Sequence, residues 1–273
     1  MDRTEIFAAE DFSVSFLQYG SFFQKKESFA VRHLNLRICS GEMTAVAGAS
    51  GSGKSLLAHG ILGVLPYNAK TEGELYYKGE ILSAERQKSL RGREIVLVPQ
   101  NVSYLDPLMK VGDQICNGDR SREAAENMEA VLARYGLSRE VAELYPFQLS
   151  GGMARRVLIA AAAMKKPRLV VADEPTPGLH REAALRVLGH FREMAEQGAA
   201  VLLITHDLEL AVQTADRVAV LHGGEVVENA PALDFASPDR LRHPYSRALV
   251  AAMPKNWDKP FPDRFKAQGG QKE

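Results

Sequence analysis

The sequence predicts an α/β fold, in which a parallel sheet covered by helices on both faces is interrupted by a helical lobe. Three observations predict it. Apolar strands alternate with helical segments from residue 169 onward, as they do around parallel sheets. A glycine-rich loop at 48–55 follows an apolar strand and precedes a helical pattern. The stretch 101–165 has mostly helical periodicity.

The N-terminal part is predicted to consist of short strands. FSVSF (12–16) and VRHLNLRI (31–38) alternate apolar and polar residues, which is typical of half-buried strands. MTAVA (43–47) is more continuously apolar and ends in the glycine-rich loop.

A helix and two further strands are predicted between the loop and the lobe. Apolar residues recur every four positions over 54–65, which predicts a helix that stops near Pro66. GELYYKG (73–79) is bounded by glycines, and EIVLVP (94–99) is an apolar segment that ends at a proline. Both are predicted to be strands.

The rest of the chain divides into the lobe, a second set of alternating elements and a tail. In the lobe, Met128, Val131, Leu132 and Tyr135 are predicted to share one helical face. The tail, 255–273, is polar and rich in Pro and Gly, so the folded unit is expected to span 1–254. The alternating elements are LVVA (169–172), EAALRVLGHFREMAEQG (182–198), AVLLIT (200–205), LELAVQTA (208–215) and RVAVLHGGEVVE (217–228).

Composition excludes several classes of protein. Lys plus Arg and Asp plus Glu both number 34, so the chain lacks the basic excess of a nucleic-acid binder. The two cysteines have no metal-ligand spacing and form no disulfide framework, which is typical of a reducing cytosol. No apolar stretch approaches the roughly 20 residues of a membrane-spanning helix, and the N-terminus lacks the apolar core of a signal peptide.

The loop GASGSGKS, residues 48–55, has the pattern of a phosphate-binding loop. Its glycines, Gly48, Gly51 and Gly53, allow the backbone N–H groups to point at phosphate oxygens, and the helix that follows adds its positive dipole end. Lys54 is expected to neutralise the β- and γ-phosphates, and the Ser55 hydroxyl to hold Mg²⁺. The remaining loop residues expected to contact the nucleotide are Ala49, Ser50 and Ser52.

Two adjacent carboxylates, Asp173 and Glu174, follow the strand LVVA. Ligands of open α/β sheets gather at the carboxyl ends of the strands, so Asp173 is expected to be the second anchor of the magnesium ion. Glu174 is expected to orient the attacking water beside the γ-phosphate. The alternative is a pair of solvated acids where a strand passes into a loop.

Two more polar side chains follow strands of the same predicted sheet. Gln100 comes after VLVP and His206 comes after VLLIT. Gln100 is expected to reach the magnesium ion or the attacking water, and His206 to donate a hydrogen bond to the γ-phosphate. A single histidine at a strand end is usually a packing or capping residue, but here several strand ends carry polar groups at one edge of one sheet.

The segment LSGGM, 149–153, precedes a strongly helical stretch. Ser150, Gly151 and Gly152 at a helix N-terminus predict a second anion site. One nucleotide does not need two such helix ends from one chain, whereas two chains packed head to tail would use both. The alternative is an ordinary helix cap formed by Ser150.

Taken in order, GASGSGKS, VPQ, LSGGM, LVVADEPT and THD resemble the motifs of the nucleotide-binding subunits of ATP-binding cassette transporters. The resemblance covers nearly the whole chain. It implies a P-loop NTPase fold, with a RecA-like parallel-sheet core, an N-terminal antiparallel β subdomain and an inserted α-helical subdomain at about 101–165. It also implies an ATPase that binds ATP and Mg²⁺.

The resemblance implies a role for each motif. Residues 48–55 would be the Walker A loop, Asp173 the Walker B aspartate and Glu174 the catalytic glutamate. Gln100 would be the Q-loop residue and His206 the switch histidine. Ser150 to Gly152 would contact the γ-phosphate held by a partner subunit. The adenine would stack on an aromatic residue ahead of the loop, for which Phe16 is preferred over Tyr19 and Phe29.

The chain departs from the family pattern at two positions. Met153 replaces the usual glutamine of the signature, which is a mild change. His180 stands where the family normally has an aspartate that helps couple the two ATP sites of a dimer. We therefore expect this subunit to pair with a different ATPase subunit rather than with itself.

Further segments narrow the resemblance to the nickel, dipeptide and oligopeptide importers, and the short tail without cysteines favours the nickel type. These segments are SLLAHGILGVLP, SYLDPLMKVGDQI, LYPFQLSGGM and HPYSRALVAAMP. The implied partners are a second ATPase subunit, two membrane permeases and an extracellular solute-binding protein. The implied location is peripheral, on the cytoplasmic face of the membrane, with Asn101 to Val111 forming the groove that receives a permease.

Two rival functions remain for comparison. A soluble cassette ATPase acting on nucleic acid or ribosomes would carry long coiled-coil insertions or two cassettes, whereas only 49 residues separate Gln100 from Ser150. An unrelated P-loop enzyme, such as a small-molecule kinase, would not need the LSGGM helix. No residue in the sequence selects the cargo.

Overall fold

A computed structural model describes residues 4–19 and 25–253 of the chain. The polar tail predicted at 255–273 lies outside the described residues. Two sheets form the framework. Its strands are β1 (Glu5–Tyr19), β2 (Lys25–Cys39), β3 (Met43–Gly48), β4 (Ala69–Tyr77), β5 (Glu80–Ile81), β6 (Ile95–Val98), β7 (Leu169–Asp173), β8 (Ala200–Thr205), β9 (Arg217–His222) and β10 (Glu225–Pro231).

The helices lie between the strands. They are α1 (Lys54–Leu62), α2 (Ala84–Leu90), α3 (Val111–Ile115), α4 (Arg122–Arg134), α5 (Gly151–Met164), α6 (Arg181–Glu196), α7 (Leu208–Thr214) and α8 (Pro244–Ala251). Short 3₁₀ turns add Val102–Tyr104, Arg139–Glu143, Pro146–Gln148, Ala232–Ala236 and Pro238–Arg240.

The larger sheet has the strand order β10-β9-β3-β8-β7-β6. Strands β6, β7, β8, β3 and β9 pair in parallel, and β10 joins the edge in antiparallel orientation. The smaller sheet, β2-β1-β4-β5, is antiparallel. The predicted α/β class, with an antiparallel N-terminal sheet and helical additions, is therefore confirmed.

Hydrophobic packing on both faces of the larger sheet explains its apolar strands. In β7, Val170 and Ala172 point to the core shared with α5 and α6, whereas Leu169 and Val171 point to the core shared with α1 and the smaller sheet. Successive strand residues face opposite sides, so a strand covered on both sides must be apolar throughout. Hydrophobic packing on both faces therefore fixes the position of the strands whose carboxyl ends carry the functional residues.

The structure departs from the expectation at the end of one helix, in the bounds of strands such as β1 and β4, and in one additional helix. Helix α1 ends at Leu62 instead of continuing to 65, because Gly63 adopts a left-handed conformation (φ 64°) and its N–H closes the last turn onto Gly60 and His59. Helix α2 has no counterpart among the predicted elements. The apolar face predicted in the lobe is present: Leu132 and Tyr135 are buried, and Met128 and Val131 pack against the same core.

Candidate functional site: a phosphate loop and four strand ends

The loop between β3 and α1 needs glycine because the backbone passes close to neighbouring strands. Gly53 has φ 98°, and a Cβ there would lie 2.3 Å from the Ala30 carbonyl oxygen. A Cβ on Gly48 would lie 2.4 Å from the Leu221 carbonyl oxygen. Any larger residue would push the loop away from the sheet, so these glycines determine its path.

Lys54 is buried, with 4% of its surface exposed, and it lies across the loop. Its Nζ donates hydrogen bonds to the carbonyl oxygens of Gly48 (2.9 Å) and Ala49 (2.8 Å). Burial lowers the pKa of the Lys54 ammonium, and the neighbouring carboxylates of Glu174 and Asp173 oppose that shift. An ammonium held this way gains from a nearby anion, which phosphate oxygens would provide.

Ser55 and Asp173 meet beneath the loop. The Ser55 hydroxyl donates to Oδ1 of Asp173 over 3.2 Å. Burial raises the pKa of Asp173, while the Ser55 hydrogen bond partly offsets the increase. A hydroxyl and a carboxylate are oxygen ligands of the kind that Mg²⁺ prefers, so this pair fits a magnesium ion that also contacts phosphates.

Glu174 is the centre of a cluster of polar side chains. Its Oε2 lies 3.2 Å from Nδ1 of His206 and 3.5 Å from Nε2 of Gln100, and its Oε1 lies 3.9 Å from Nζ of Lys54. Its backbone has φ 44°, an uncommon value for a glutamate, and its N–H is held by the Ile204 carbonyl at 2.9 Å. The strained backbone at a site of this kind is consistent with a functional requirement.

The cluster forms because four parallel strands end at one edge. Lys54 follows β3 through the loop, Gln100 follows β6, Glu174 follows β7 and His206 follows β8. A cavity of about 310 Å³ opens beside Lys54, Gln100 and Glu174. Its lining is Ser50, Gly51, Gly53, Lys54, Ser55, Leu56, Gln100 and Glu174. Sequence reasoning does not single out Leu56, whose only signal is its place after the loop motif.

The LSGGM turn lies outside this cavity. Ser150 caps α5, and its Oγ accepts a hydrogen bond from the Met153 N–H at 3.2 Å. Gly151 and Gly152 are exposed, and a Cβ on either would meet no atom within 4 Å outside the helix backbone. The first residues of α5 are therefore open to a molecule from outside the chain.

His180 and Phe16 are also separate from the cavity. His180 is exposed at the start of α6, and its side chain makes no capping hydrogen bond. Phe16 is partly buried and packs against the core under the smaller sheet. Its role in adenine stacking remains a prediction, and the side chain of Tyr19 lies outside the described part of the chain.

The residues that the structure describes, 4–19 and 25–253, contain neither a ready-made metal cluster nor a membrane-spanning helix. No group of three or more His, Cys, Asp or Glu side chains in these ranges could hold a metal ion. A magnesium ion at Ser55 and Asp173 would thus depend on additional oxygen ligands from the nucleotide and water. Within the same ranges, no helix has the length and apolar character needed to cross a bilayer.

The sheet order and the loop define a P-loop nucleoside triphosphatase. Residues 31–177 match the ABC transporter family. The chain belongs to this family, as an ATPase of the ABC type. A solved structure of the ATP-binding cassette MJ0796, a dimer in a post-hydrolysis state bound to ADP and phosphate, superposes with a TM-score of 0.71 at 26% identity, covering 83% of this chain and 99% of that one.

Curated relatives include transport ATPases with named cargo. The dipeptide transport ATP-binding protein DppD of Bacillus subtilis is 34% identical, over 92% of this chain and 77% of its own length. The oligopeptide transport ATP-binding protein OppD of the same organism is 33% identical, over 92% and 72%. The glutathione import ATP-binding protein GsiA of Pectobacterium atrosepticum is 34% identical, and the chain spans 45% of its length.

Proposed function

We propose that this chain is one ATP-hydrolysing subunit of a bacterial-type importer for small peptides or metal chelates such as nickel complexes. It would act at the cytoplasmic face of the membrane as a peripheral subunit. Its partners would be a second, different ATPase subunit, two permeases and an extracellular solute-binding protein. The folded ATPase unit would span 1–254, with a helical subdomain at about 101–165.

One observation carries the proposal. Lys54, Gln100 and Glu174 line one cavity. His206 contacts Glu174 at 3.2 Å, and the Ser150 turn is exposed and lies outside the cavity. A phosphate site that is complete only when another chain adds its own turn explains why both motifs occur in one subunit. The dimeric cassette bound to ADP and phosphate supports a two-chain arrangement.

The loop residues would bind the triphosphate. Backbone N–H groups of 48–55 and the N-terminus of α1 would surround the β- and γ-phosphates, and Lys54 would exchange its carbonyl partners for phosphate oxygens. Ser55 and Asp173 would hold Mg²⁺ together with Gln100. When bound, this ion supplies charge neutralisation on the phosphates.

Glu174 would orient and deprotonate the attacking water. Its carboxylate accepts from Gln100 and contacts His206, so two side chains hold it in place. Nδ1 of His206 contacts the Glu174 carboxylate. Nε2 of the same ring would therefore be available to hydrogen-bond with the γ-phosphate. A water held between Glu174 and the phosphorus would attack in line, and the leaving ADP would carry away the developing charge.

The comparisons support a peptide cargo better than a nickel cargo. The relatives bear the names dipeptide, oligopeptide and glutathione transport proteins. The alternative function, a soluble cassette acting on nucleic acid or ribosomes, is not favoured by these relatives or by a net charge of zero.

Leu108→Asp is expected to uncouple the chain from its permeases. Leu108 is 87% exposed in the segment that follows Gln100, with exposed Tyr104 nearby in sequence, so an apolar partner surface would cover it. ATP hydrolysis by the paired ATPase subunits without permeases should be unchanged, and the rate stimulated by co-purified permeases should fall several-fold. Leu233→Asp, at 80% exposure, is the control. Hydrolysis indifferent to permease would favour an unrelated P-loop enzyme.

His180 is expected to disfavour pairing of the subunit with itself. An exposed imidazole without a capping bond replaces the carboxylate that the family places at this position. Purified Glu174→Gln protein with ATP should therefore remain monomeric by light scattering after gel filtration. The double variant Glu174→Gln/His180→Asp should show a larger dimer fraction. A clean homodimer of the single variant would count against the different-partner proposal.

A further inference from the structure

A second, larger cavity lies between α5 and α6, and no residue of the phosphate loop lines it. We call it the α5–α6 cavity; its volume is about 680 Å³. Its floor is apolar, with Tyr135, Leu179 and Val187 among the lining residues, and four arginines surround it. Cavities of about 300–1,000 Å³ are typical of sites for small molecules. None of Lys54, Ser55, Gln100, Asp173, Glu174 and His206 lines it, whereas Gly152 of the LSGGM turn does.

The charges around this cavity do not balance. Arg134, Arg155, Arg156 and Arg186 line it, against a single carboxylate, Glu193. Arg134 already uses that carboxylate, with its Nη2 3.1 Å from Oε2. Because the chain as a whole is neutral, this is a local excess of positive charge. An anion would find complementary charge here.

Arg155 and Arg186 are the arginines available to such an anion. Within the described residues, Arg155 has no carboxylate within 4 Å, and its hydrogen bond goes to the Pro177 carbonyl at 3.3 Å. Burial lowers the pKa of its guanidinium. Arg186 reaches Glu182 only at 4.0 Å. Arg156, in contrast, is occupied by the carbonyls of Gly152, Tyr135 and Gly136.

Gly189 keeps the cavity open. It lies in the interior of α6 and lines the cavity, and a Cβ there would meet no atom within 4 Å outside the helix. Packing therefore does not require glycine at this position, although glycine in a helix interior costs about 1 kcal/mol relative to alanine. The absence of a side chain at Gly189 leaves space in the cavity that a ligand could occupy.

The inner wall contains polar atoms without partners. The hydroxyl of Tyr135, a residue that is 1% exposed, and Nδ1 of His190 are buried without a hydrogen bond in the described structure. Their rings contact edge to face, with centroids 4.6 Å apart. Burial lowers the pKa of His190, which favours the neutral ring. Unsatisfied polar atoms beside a cavity are a place where a bound molecule or water adds hydrogen bonds.

We propose that the α5–α6 cavity binds a small organic anion, with a phosphate or carboxylate group paired to Arg155 and Arg186 and an apolar body on Leu179, Val187 and Tyr135. The size of the cavity and its apolar floor favour this ligand over an acidic polypeptide, which would need a longer open groove.

The site is positioned to regulate ATP hydrolysis, and this part rests on the function proposed above. Gly152, at the start of α5, and Leu179, just before α6, both line the cavity. Arg155 already joins α5 to the segment before α6 through the Pro177 carbonyl. An anion held between Arg155 and Arg186 would add a second connection. It would therefore change how the Ser150 turn and the His180 turn move together when a partner closes.

Binding can be measured with phenyl phosphate by calorimetry on the full chain, with saturating MgADP to fill the phosphate loop. We expect saturable binding at millimolar or lower concentration. Arg155→Gln and Arg186→Gln should each weaken it at least about tenfold, since each removes a charged hydrogen bond. Arg122→Gln, a substitution of an exposed arginine on α4, is the matched control and should bind as wild type.

Gly189→Leu tests the cavity without removing charge. It should fill the space and abolish binding, while the melting temperature does not fall because leucine is the better helix former. Benzoate and phenyl phosphate distinguish a carboxylate ligand from a phosphate ligand, and benzamide should not bind. Inorganic phosphate should bind more weakly than phenyl phosphate, because it lacks the apolar body.

Absence of saturable phenyl phosphate binding, or unchanged binding in the Arg155, Arg186 and Gly189 variants, would overturn the proposal. Binding of a polyglutamate peptide without binding of phenyl phosphate would also overturn it. Phenyl phosphate should change the ATPase rate of wild type at least about twofold and leave that of Gly189→Leu unchanged. If phenyl phosphate bound without changing the ATPase rate, the regulatory role would be rejected and the anion site itself would stand. The binding assay does not depend on hydrolysis, so it is independent of the proposed function.

Discussion

Glu174→Gln is expected to bind ATP with nearly wild-type affinity and to hydrolyse it at least about a hundredfold more slowly. An amide cannot accept the proton of the attacking water, and general-base catalysis of this kind is worth about a hundredfold to ten-thousandfold. Binding should survive because the loop and Lys54 contact the phosphates independently of the carboxylate. Single-turnover release of phosphate measures the step directly.

The control for this prediction is a glutamate-to-glutamine substitution at an exposed position, Glu182→Gln. Glu182 lies on the first turn of α6, with an 83% exposed side chain whose nearest cation is 4.0 Å away. Glu182→Gln should therefore leave both ATP affinity and turnover unchanged. If Glu174→Gln turned over at the wild-type rate, the water-orienting group would have to be assigned to another side chain, with His206 the next candidate at 3.2 Å from Glu174.

Lys54→Ala is expected to abolish measurable hydrolysis and to weaken ATP binding by at least about a hundredfold. Its ammonium would make two or more charged hydrogen bonds to phosphate oxygens, each worth about 1.5–3 kcal/mol. The variant also leaves the carbonyls of Gly48 and Ala49 without their present donor. Equilibrium binding of a fluorescent ATP analogue, alongside phosphate release, measures both effects.

Loss of folding has to be separated from loss of binding in this variant. Lys88→Ala, on the exposed surface of α2, removes the same group without touching the loop and should behave as wild type. Thermal unfolding without nucleotide should show one cooperative transition for Lys54→Ala, at a lower temperature than for wild type because two carbonyls lose their donor. The increase in melting temperature produced by MgATP should vanish. Retained stabilisation by MgATP would contradict the role assigned to Lys54.

Local chemistry explains why much of the site could be predicted. The loop glycines, the lysine and the paired carboxylates have a fixed spacing along the chain, and each follows an apolar strand. Parallel strands place their carboxyl ends at one edge. Glu174 is 74 residues from Gln100 and 32 residues from His206 in the sequence. In the structure, it contacts Gln100 at 3.5 Å and His206 at 3.2 Å, as the strand-end pattern predicts.

Other features depend on contacts that no local pattern encodes. The end of α1 at Leu62 depends on a left-handed Gly63. The partly buried position of Phe16 against the N-terminal core follows from pairing of β1 with two strands. The α5–α6 cavity is formed by residues from three helices and the segments between them, so its arginines appear in the sequence only as ordinary surface charges.

The sequence by itself determined the class of protein, the phosphate loop and the polar strand ends, because these depend on short-range spacing and on alternation of apolar residues. Only the tertiary structure decided that Glu174 contacts Lys54, Gln100 and His206 together, and that the Ser150 turn is open to the outside. The physical reason is that the burial of a side chain and the charge around it depend on neighbours that are distant in the sequence. These neighbours come together only when the two sheets and the helices pack.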